Sequence, residues 1–229
     1  ESVTSQSLPL SVEDRVRAAR RAGIRGAAMV VLSYIPFGLA AGAAMGATSV
    51  PEWISILSSP VIFAGAAQIA AVQLLHVGAG IALVVFTVAV INARHLLYSA
   101  SMAEYVCHLP RRWRLLLAYL LTDEAYAVAV LHYQRHAERA GKDAEAAAPP
   151  PDLRHWYFLG AGFTLWAAWQ LATACGLVFG ATIPPDWELD FAVPLTFIAL
   201  TTLLLRERAG QAAAAVAALG TLAFAALPY

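Results

Sequence analysis

Long stretches without a charged residue run through much of this chain, and they limit its possible folds more than any other feature. Seven hydrophobic segments can be delimited, at residues 27–48, 53–76, 78–103, 115–133, 156–183, 191–205 and 209–229. A helix needs roughly 20 apolar residues to cross a bilayer. Because 60% of the 229 residues are hydrophobic and 13% are charged, we expect an all-α polytopic membrane protein with about seven hydrophobic segments, some of them broken or re-entrant.

Polar stretches divide the chain into four parts. Residues 1–26 form a polar, arginine-rich N-terminus, and residues 134–155 form a connector with mixed charges and three consecutive prolines. This composition is typical of a linker rather than a domain. The connector therefore separates a first membrane half, residues 27–133, from a second, residues 156–229.

A short pattern occurs in both halves. Gly38-Leu39-x-x-Gly42-Ala43, Pro51-x-Trp53 and Pro60-x-x-Phe63 in the first half match Gly176-Leu177-x-x-Gly180-Ala181, Pro185-x-Trp187 and Pro194-x-x-Phe197 in the second. Transporters are commonly built from such repeats. The pattern predicts an internal two-half repeat, with chance similarity between apolar sequences as the alternative.

The positions of the basic residues predict the orientation, because cytoplasmic loops carry an excess of Lys and Arg. With seven spans, eleven of the fifteen Lys and Arg residues fall on the side of the N-terminus and three, Arg111, Arg112 and Arg114, on the other. We therefore expect a cytoplasmic N-terminus. The 111–114 cluster argues against this arrangement, and a re-entrant region after Arg94 is the alternative.

Pro36, Pro60 and Pro194 lie inside hydrophobic segments, away from the chain ends. Each removes a backbone donor and frees a carbonyl group in the preceding turn, and in lipid that carbonyl must be satisfied by protein or by a lined cavity. For Pro60 and Pro194, an ordinary packed kink and a broken helix at a binding site are equally good interpretations.

Small residues recur at helical spacing in the first half. Gly38, Gly42 and Gly46 form one ridge, and Gly65 lies in a second with several alanines. Ridges of this kind let helix backbones approach closely. They predict helix contacts.

Polar side chains inside the hydrophobic segments are candidate substrate-binding or translocation residues, because charge and hydrogen-bonding capacity are costly in lipid. These candidates are Gln68, Asn92, Arg94, His95, Tyr98, Asp123 and Glu124. A structural pairing of Arg94 with Asp123 is an equally good interpretation. Gln68 can either bond a neighbouring helix or face a cavity, and Arg94 can also reach the headgroups as an anchor.

Other kinds of site find no support in the sequence. The chain has no His-Glu-x-x-His motif, because Tyr133 follows the first histidine of its His132-x-x-x-His136 pair, and it has no Gly-x-Ser-x-Gly motif. Cys107 and Cys175 fit no zinc or disulfide pattern, and 15 basic residues balance 15 acidic ones. We therefore expect no catalytic residues, metal, cofactor or nucleic acid, although His95 with Asp123 leaves an intramembrane enzyme as a competing class.

Five motifs resemble those of the AzlC-type branched-chain amino acid exporters of bacteria. They are Pro36-Phe37-Gly38-Leu39, Phe63-Ala64-Gly65-Ala66-Ala67-Gln68, Asn92-Ala93-Arg94-His95-Leu96-Leu97-Tyr98, Ala118-Tyr119-Leu120-Leu121-Thr122-Asp123-Glu124 and Phe191-Ala192-Val193-Pro194-Leu195-Thr196-Phe197. The resemblance covers residues 20–229. A departure is the end at Leu227-Pro228-Tyr229, where the family pattern continues with a further short apolar stretch.

The resemblance implies export of neutral branched-chain amino acids across the bacterial inner membrane, together with a small AzlD-type partner subunit of about four helices. We expect that partner to cover the ridge of Gly38, Gly42 and Gly46 or the Gly65 ridge. The alternative function is that of a structural or assembly subunit without transport activity of its own.

A zwitterionic substrate would need three kinds of contact. Arg94 and backbone donors at a broken helix would bind its carboxylate, and Asp123 or Glu124 its ammonium group. The apolar side chain would lie against Phe63, Val90 and Phe197. Proton coupling could pass through Asp123, Glu124 or His95.

Overall fold

The computed structural model describes residues 11–142, 152–182 and 208–225, and all regular structure in these ranges is helical. The helices are α1 Val12–Gly46, α2 Glu52–Ile62, α3 Gly65–His76, α4 Ile81–Asn92, α5 Arg94–Val106, α6 Arg111–Tyr119, α7 Asp123–Lys142, α8 Arg154–Phe179 with a 3₁₀ turn at Gly180–Thr182, and α9 Arg208–Ala225. The all-α prediction is confirmed.

Helix α1 is the longest described element and begins at a well-formed cap. The hydroxyl oxygen of Ser11 accepts a hydrogen bond from the backbone N–H of Asp14 at 3.2 Å, and the two acids in the first turn suit the positive end of the helix dipole. Its 35 residues extend about 52 Å at 1.5 Å per residue, more than a ~30 Å hydrocarbon core. The arginine-rich first turns can therefore project from the membrane.

Helices α1 and α8 run parallel and pack through glycines. Gly23 meets Tyr157 near the start of α8, whereas Gly42 lies directly on the backbone of Thr173 near its end. A side chain on Gly42 would overlap the Thr173 carbonyl oxygen, and one on Gly176 would overlap the Leu39 carbonyl oxygen. The two copies of the Gly-Leu-x-x-Gly-Ala pattern thus pack against each other, as small-residue motifs do between membrane helices.

This packing corrects one expectation. Gly38, Gly42 and Gly46 all face α8, and Gly65 faces Trp169 and Phe37. The prediction that a partner subunit covers either ridge is therefore wrong, because elements of the same chain already occupy both surfaces.

Helices α2 and α3 form a re-entrant hairpin. Residues near the C-terminal end of α3, including Val72 and His76, line a pocket with Ala44 and Ala47 at the end of α1, and α2 starts six residues after α1 ends. Both ends of the hairpin therefore lie at the C-terminal end of α1. Its tip reaches mid-depth, where Gly65 contacts the middle of α1 and α8.

Helices α6 and α7 form a second re-entrant hairpin, bent by 120°. At the start of α6, the Trp113 ring packs on Trp156 with 4.7 Å between centroids, and further along α7 the Tyr133 hydroxyl donates to the Arg154 carbonyl oxygen at 2.8 Å. Both arms thus lie at the N-terminal end of α8. The tip reaches Gly162, which contacts Leu120.

Helices α4 and α5 together cross from the side where α1 ends to the side where α8 begins. Helix α4 follows the end of α3, and α5 ends where Tyr105 packs on Tyr133 with 4.9 Å between centroids. The combined helix Ile81–Val106, α1 and α8 are the three described helices long and apolar enough to span a membrane. The count of about seven spans is not confirmed: segments 53–76 and 115–133 are folded as hairpins, segment 209–229 is partly described as α9, and segment 191–205 lies outside the described residues.

The two hairpins also change the expected distribution of charge. The ends carrying Arg111, Arg112 and Arg114 lie on the same side as the arginine-rich start of α1, because α2–α3 and α6–α7 both turn back. The described loops on the opposite side, residues 47–51 and 77–80, contain no Lys or Arg. The structure therefore removes the conflict that the 111–114 cluster posed for a seven-span arrangement.

Candidate functional site

The tips of the two hairpins meet at a small pocket in the middle of the molecule. Its lining residues come from α1, α3, α5, α7 and α8 and the turn before α7: Tyr34, Phe37, Ala64, Gly65, Ala66, Arg94, His95, Thr122, Asp123, Glu124 and Trp169. The cavity volume is about 20 Å³, enough for about one water molecule. The pocket is therefore closed around its polar groups in this conformation.

An ion pair joins α5 to α7 at this pocket. The Arg94 Nη1 atom lies 2.7 Å from Asp123 Oδ2, with 27% and 16% of the two side chains exposed. Two further atoms, Arg94 Nε and Asp123 Oδ1, are buried without a hydrogen-bond partner. The pairing leaves one donor and one acceptor free for a ligand, since buried polar groups are normally satisfied.

A second acid lies beside the pair and has a different partner. The Tyr34 hydroxyl donates to Glu124 Oε2 at 2.8 Å, and Glu124 is 6% exposed. The Thr122 hydroxyl oxygen accepts from the backbone N–H of Ala125 at 3.3 Å, which caps α7. Both acids thus begin a helix whose positive end favours negative charge.

Helix α3 also directs its N-terminus at the pocket. The N–H of Gln68 bonds the Ala64 carbonyl, so the N–H groups of Gly65 and Ala66 precede the first intrahelical bond of α3. Both residues line the pocket. Free N–H groups at a helix N-terminus bind anions.

Aromatic rings form the apolar wall. Trp169 packs edge-on against Tyr34 and Phe37, with 5.5 Å and 5.1 Å between ring centroids. Sequence reasoning missed these three residues, because nothing in the apolar runs of α1 and α8 marks the face that turns inward. The available signals were that Tyr34 and Phe37 lie close to Pro36 and that Phe37 belongs to one of the motifs shared with the AzlC-type exporters.

The apolar contacts predicted from the sequence lie elsewhere. Phe63 is buried against Tyr119, with 5.9 Å between ring centroids, and Val90 is largely exposed. Neither lines the pocket, because the chain reverses at Phe63 and Val90 points away from the core. Phe197 lies outside the described residues.

The other candidate side chains divide between the pocket and its surroundings. His95 lines the pocket and bonds the Asn92 carbonyl oxygen through Nδ1 at 3.1 Å. Tyr98 stacks on Tyr126 at 4.8 Å between centroids, and Asn92 Oδ1 is buried without a partner. Asn92 and Tyr98 do not line the pocket.

Gln68 holds the α2–α3 hairpin together and does not line the pocket. It is completely buried, its Oε1 accepts from Trp169 Nε1 at 3.2 Å, and its Nε2 donates to Ser58 Oγ at 3.2 Å. Of the two interpretations of this amide, the structure supports bonding to neighbouring helices.

The prolines differ in their effect on the backbone. Helix α1 continues through Pro36, whereas α2 ends two residues after Pro60. The Tyr119 hydroxyl donates to the Pro60 carbonyl at 2.8 Å and accepts from Trp166 Nε1 at 2.8 Å. Phe63 has φ 35°, a left-handed conformation that costs a bulky residue energy. Pro194 lies outside the described residues.

Within the described ranges, no three His, Cys, Asp or Glu side chains converge in a way that could hold a metal ion. The polar groups of the pocket instead comprise one cation, two acids, hydroxyl groups, an imidazole and helix N–H groups. Such a set can bind a small molecule that carries both charges.

Comparison with known proteins places the chain in a family. The family model described as AzlC protein matches residues 29–183. The chain belongs to the AzlC family. Its relatives include the inner membrane protein YgaZ of Escherichia coli, 26% identical over 86% of this chain and 76% of the relative. An uncharacterized membrane protein of Archaeoglobus fulgidus is 28% identical over 77% of this chain and 69% of the relative.

The matches also include an uncharacterized membrane protein of Helicobacter pylori, 32% identical over 45% of each chain. No solved structure matches the chain. With three described helices of spanning length, this AzlC-family chain is a membrane protein.

Proposed function

We propose that this AzlC-family chain is a secondary transporter that exports branched-chain or similar neutral amino acids. The observation that carries the proposal is the pair of unpartnered buried atoms, Arg94 Nε and Asp123 Oδ1, on the two sides of one ion pair in the central pocket. A lipid-facing or purely structural pair would gain nothing from leaving these atoms open.

A zwitterionic amino acid matches the polar groups around this ion pair. Its carboxylate would accept from Arg94 Nε and from N–H groups at the start of α3. Its ammonium group would donate to Asp123 Oδ1, and its side chain would lie against Phe37 and Trp169. Because the cavity holds about 20 Å³, binding requires the hairpin tips to separate.

Glu124 is the residue that we propose for proton coupling. It is buried, and its described hydrogen bond comes from the Tyr34 hydroxyl rather than from a cation. A proton on Glu124 removes the cost of burying its charge, whereas Asp123 already has Arg94 as a counter-ion. The two acids would therefore divide the work, with Asp123 binding substrate and Glu124 carrying the proton.

The proposed orientation places the basic helix ends in the cytoplasm of a bacterial cell, with the N-terminus inside. The proposed complex contains a small membrane partner of about four helices, as the family resemblance implies. The chain carries out no covalent chemistry in this proposal. An assembly subunit without transport activity is the alternative, and only flux measurements separate the two.

Reconstitution tests the proposal directly. The chain and its small partner are incorporated into proteoliposomes, and efflux of radiolabelled leucine is measured with and without a pH gradient. We expect saturable efflux, with Arg94→Lys lowering the rate about 10- to 100-fold because Lys lacks the planar fork that binds a carboxylate through two bonds.

The matched control is Arg17→Lys, since Arg17 is exposed and its ion pair in the described part of the chain is with Glu13, one turn away. It should transport like the unmodified chain. A folded complex that exports no neutral amino acid would assign the chain to the assembly role, and near-normal efflux by Arg94→Lys at equal expression would remove Arg94 from substrate binding.

A further inference from the structure

A second cavity lies between α2 and α8, with a volume of about 280 Å³. It is more than ten times larger than the central pocket, and its wall is largely apolar, with Met45, Ile56, Trp166 and Leu177 among its lining residues. None of its lining residues is ionisable. It is open on one side, where Ile56 and Ala174 are exposed.

Two hydrogen-bond donors in this apolar wall have no partner. The Ser55 side chain is 2% exposed, yet neither its Oγ nor Gln170 Nε2 makes a hydrogen bond. Between them, the Ser59 and Thr173 hydroxyl groups share a hydrogen bond at 3.1 Å, and the Thr173 hydroxyl donates to the Trp169 carbonyl oxygen at 2.8 Å. Because buried donors are normally bonded, Ser55 and Gln170 indicate a ligand with acceptor atoms.

The donors form a series along the cavity. Helix α2 runs antiparallel to α8 here, so Ser55 and Gln170 lie on opposite sides of the Ser59–Thr173 bond, one turn away from it in each helix. Their backbones are therefore separated by about 10 Å along the helix axes. Gln170 is at the mid-depth end and Ser55 at the end away from the basic helix ends.

The tip of the α2–α3 hairpin separates this cavity from the central pocket. Pro60 lines the larger cavity, and Ala64 lines the pocket. On α8, Trp166 and Gln170 face the cavity while Trp169 faces the pocket. The partition therefore consists of the five residues 60–64, where the helix is broken, and the Trp169 indole ring.

We propose that this cavity, the α2–α8 vestibule, is a second binding site through which a neutral amino acid leaves the central pocket. The inference rests on the proposed export function. The apolar side chain lies against Ile56 and Leu177, and the carboxylate accepts first from Gln170 and then from Ser55. The vestibule excludes substrates with charged side chains, because no ionisable residue lines it.

Thiol labelling tests occupancy. Ser55→Cys is made in a chain whose two exposed cysteines are replaced, Cys107→Ser and Cys175→Ser, and is treated in the reconstituted complex with a membrane-impermeant methanethiosulfonate. We expect labelling that leucine slows at least 5-fold and lysine does not. Leu171→Cys is the control, since Leu171 is exposed on α8 but does not line the vestibule; leucine should leave its labelling unchanged.

A space-filling variant tests transit. Ala174→Phe projects a ring into the vestibule, so leucine efflux should fall at least 5-fold more than alanine efflux, whereas Leu171→Phe should affect both equally. Absence of labelling at Ser55→Cys, labelling without leucine protection, or equal loss of leucine and alanine efflux would each overturn the vestibule in a complex that exports leucine. Absence of leucine efflux from the unmodified complex overturns the proposed function instead.

Discussion

The two re-entrant hairpins reach the same pocket from opposite sides with opposite chemistry at their tips. The α6–α7 tip carries Asp123 and Glu124 in the first turn of α7. The α2–α3 tip carries no ionisable residue and brings Gly65 against Trp169 and Phe37. One hairpin thus supplies charge, and the other supplies shape and backbone N–H groups. Substitutions at the two tips should therefore impair efflux in different ways.

The hairpins also differ in how they are held. A hydrogen-bond network centred on the buried Gln68 amide joins α3 to Ser58 of α2 and fixes this hairpin to Trp169 of α8. The tip of α6–α7 is held instead by the Arg94–Asp123 ion pair and the Tyr34–Glu124 hydrogen bond, with aromatic packing such as Trp113 on Trp156 at its outer ends. Neutral hydrogen bonds thus fix one tip, and charged groups fix the other.

The largest expected effect is at the charged tip. Asp123→Asn should lower leucine efflux by at least 100-fold, because it removes the acceptor for the substrate ammonium group and leaves Arg94 without its counter-ion. Efflux and expression are measured together in proteoliposomes. Glu124→Gln is the comparison and should retain efflux but lose its dependence on the pH gradient.

Normal efflux in a well-expressed Asp123→Asn protein would remove the charged tip from the mechanism. Loss of expression in Asp123→Asn, with rescue of expression by Arg94→Met in the same chain, would indicate a structural ion pair only.

A smaller effect is expected at the uncharged tip. Gly65→Ala would place a methyl group 2.7 Å from the Trp169 ring and 3.0 Å from Phe37, so the tip must shift by a few tenths of an ångström. Efflux should fall about 10-fold, mainly through the rate of opening rather than apparent affinity, since a displaced tip alters closure. Gly80→Ala is the matched control, because nothing lies within 4 Å of its added methyl group.

Equal kinetics for Gly65→Ala and Gly80→Ala would show that the α2–α3 tip does not shape the closed pocket. A loss of apparent affinity alone would instead make the tip a binding surface, and the contrast between the two hairpins would weaken.

Hydropathy decides how much of the fold and of the candidate site could be predicted from the sequence. The apolar runs and the Arg94–Asp123 pairing were readable, because a bilayer penalises unpaired charge at every depth. Re-entrant segments were expected, with the region after Arg94 as one alternative, but residues 53–76 were not singled out, since that segment has the length of one span whether it crosses the membrane or folds back at Phe63. Tyr34, Phe37 and Trp169 were missed because only tertiary packing decides which aromatic side chains of an apolar helix face inward.

The smallest expected effect lies outside the membrane segments, where α8 begins. Hydrogen bonds from Arg154, including Nη2 to Asp152 Oδ2 at 2.6 Å, hold the pKa of Asp152 below its usual value. A carboxylate whose pKa is lowered by folding stabilises the protein above its unfolded pKa of about 3.9 and loses that contribution as the pH falls through the folded value.

Asp152→Asn should therefore lower thermal stability at pH 7 by no more than about 0.5 kcal/mol, because the pair is partly exposed. Melting curves of the detergent-solubilised complex should converge for the two proteins as the pH falls through the lowered pKa of Asp152. If the melting temperatures of the two proteins still differ by the same amount at acidic pH, Asp152 acts through its shape rather than its charge.

The glycine seam between α1 and α8 has a mechanical consequence. At Gly42 and Gly176 the backbones of the two helices are in direct contact, without side chains between them. The helices therefore cannot slide past each other by a turn without steric overlap. They form a rigid pair, so in the proposed transport cycle these two helices stay together. The shorter helices of the two hairpins are then the elements that we expect to tilt.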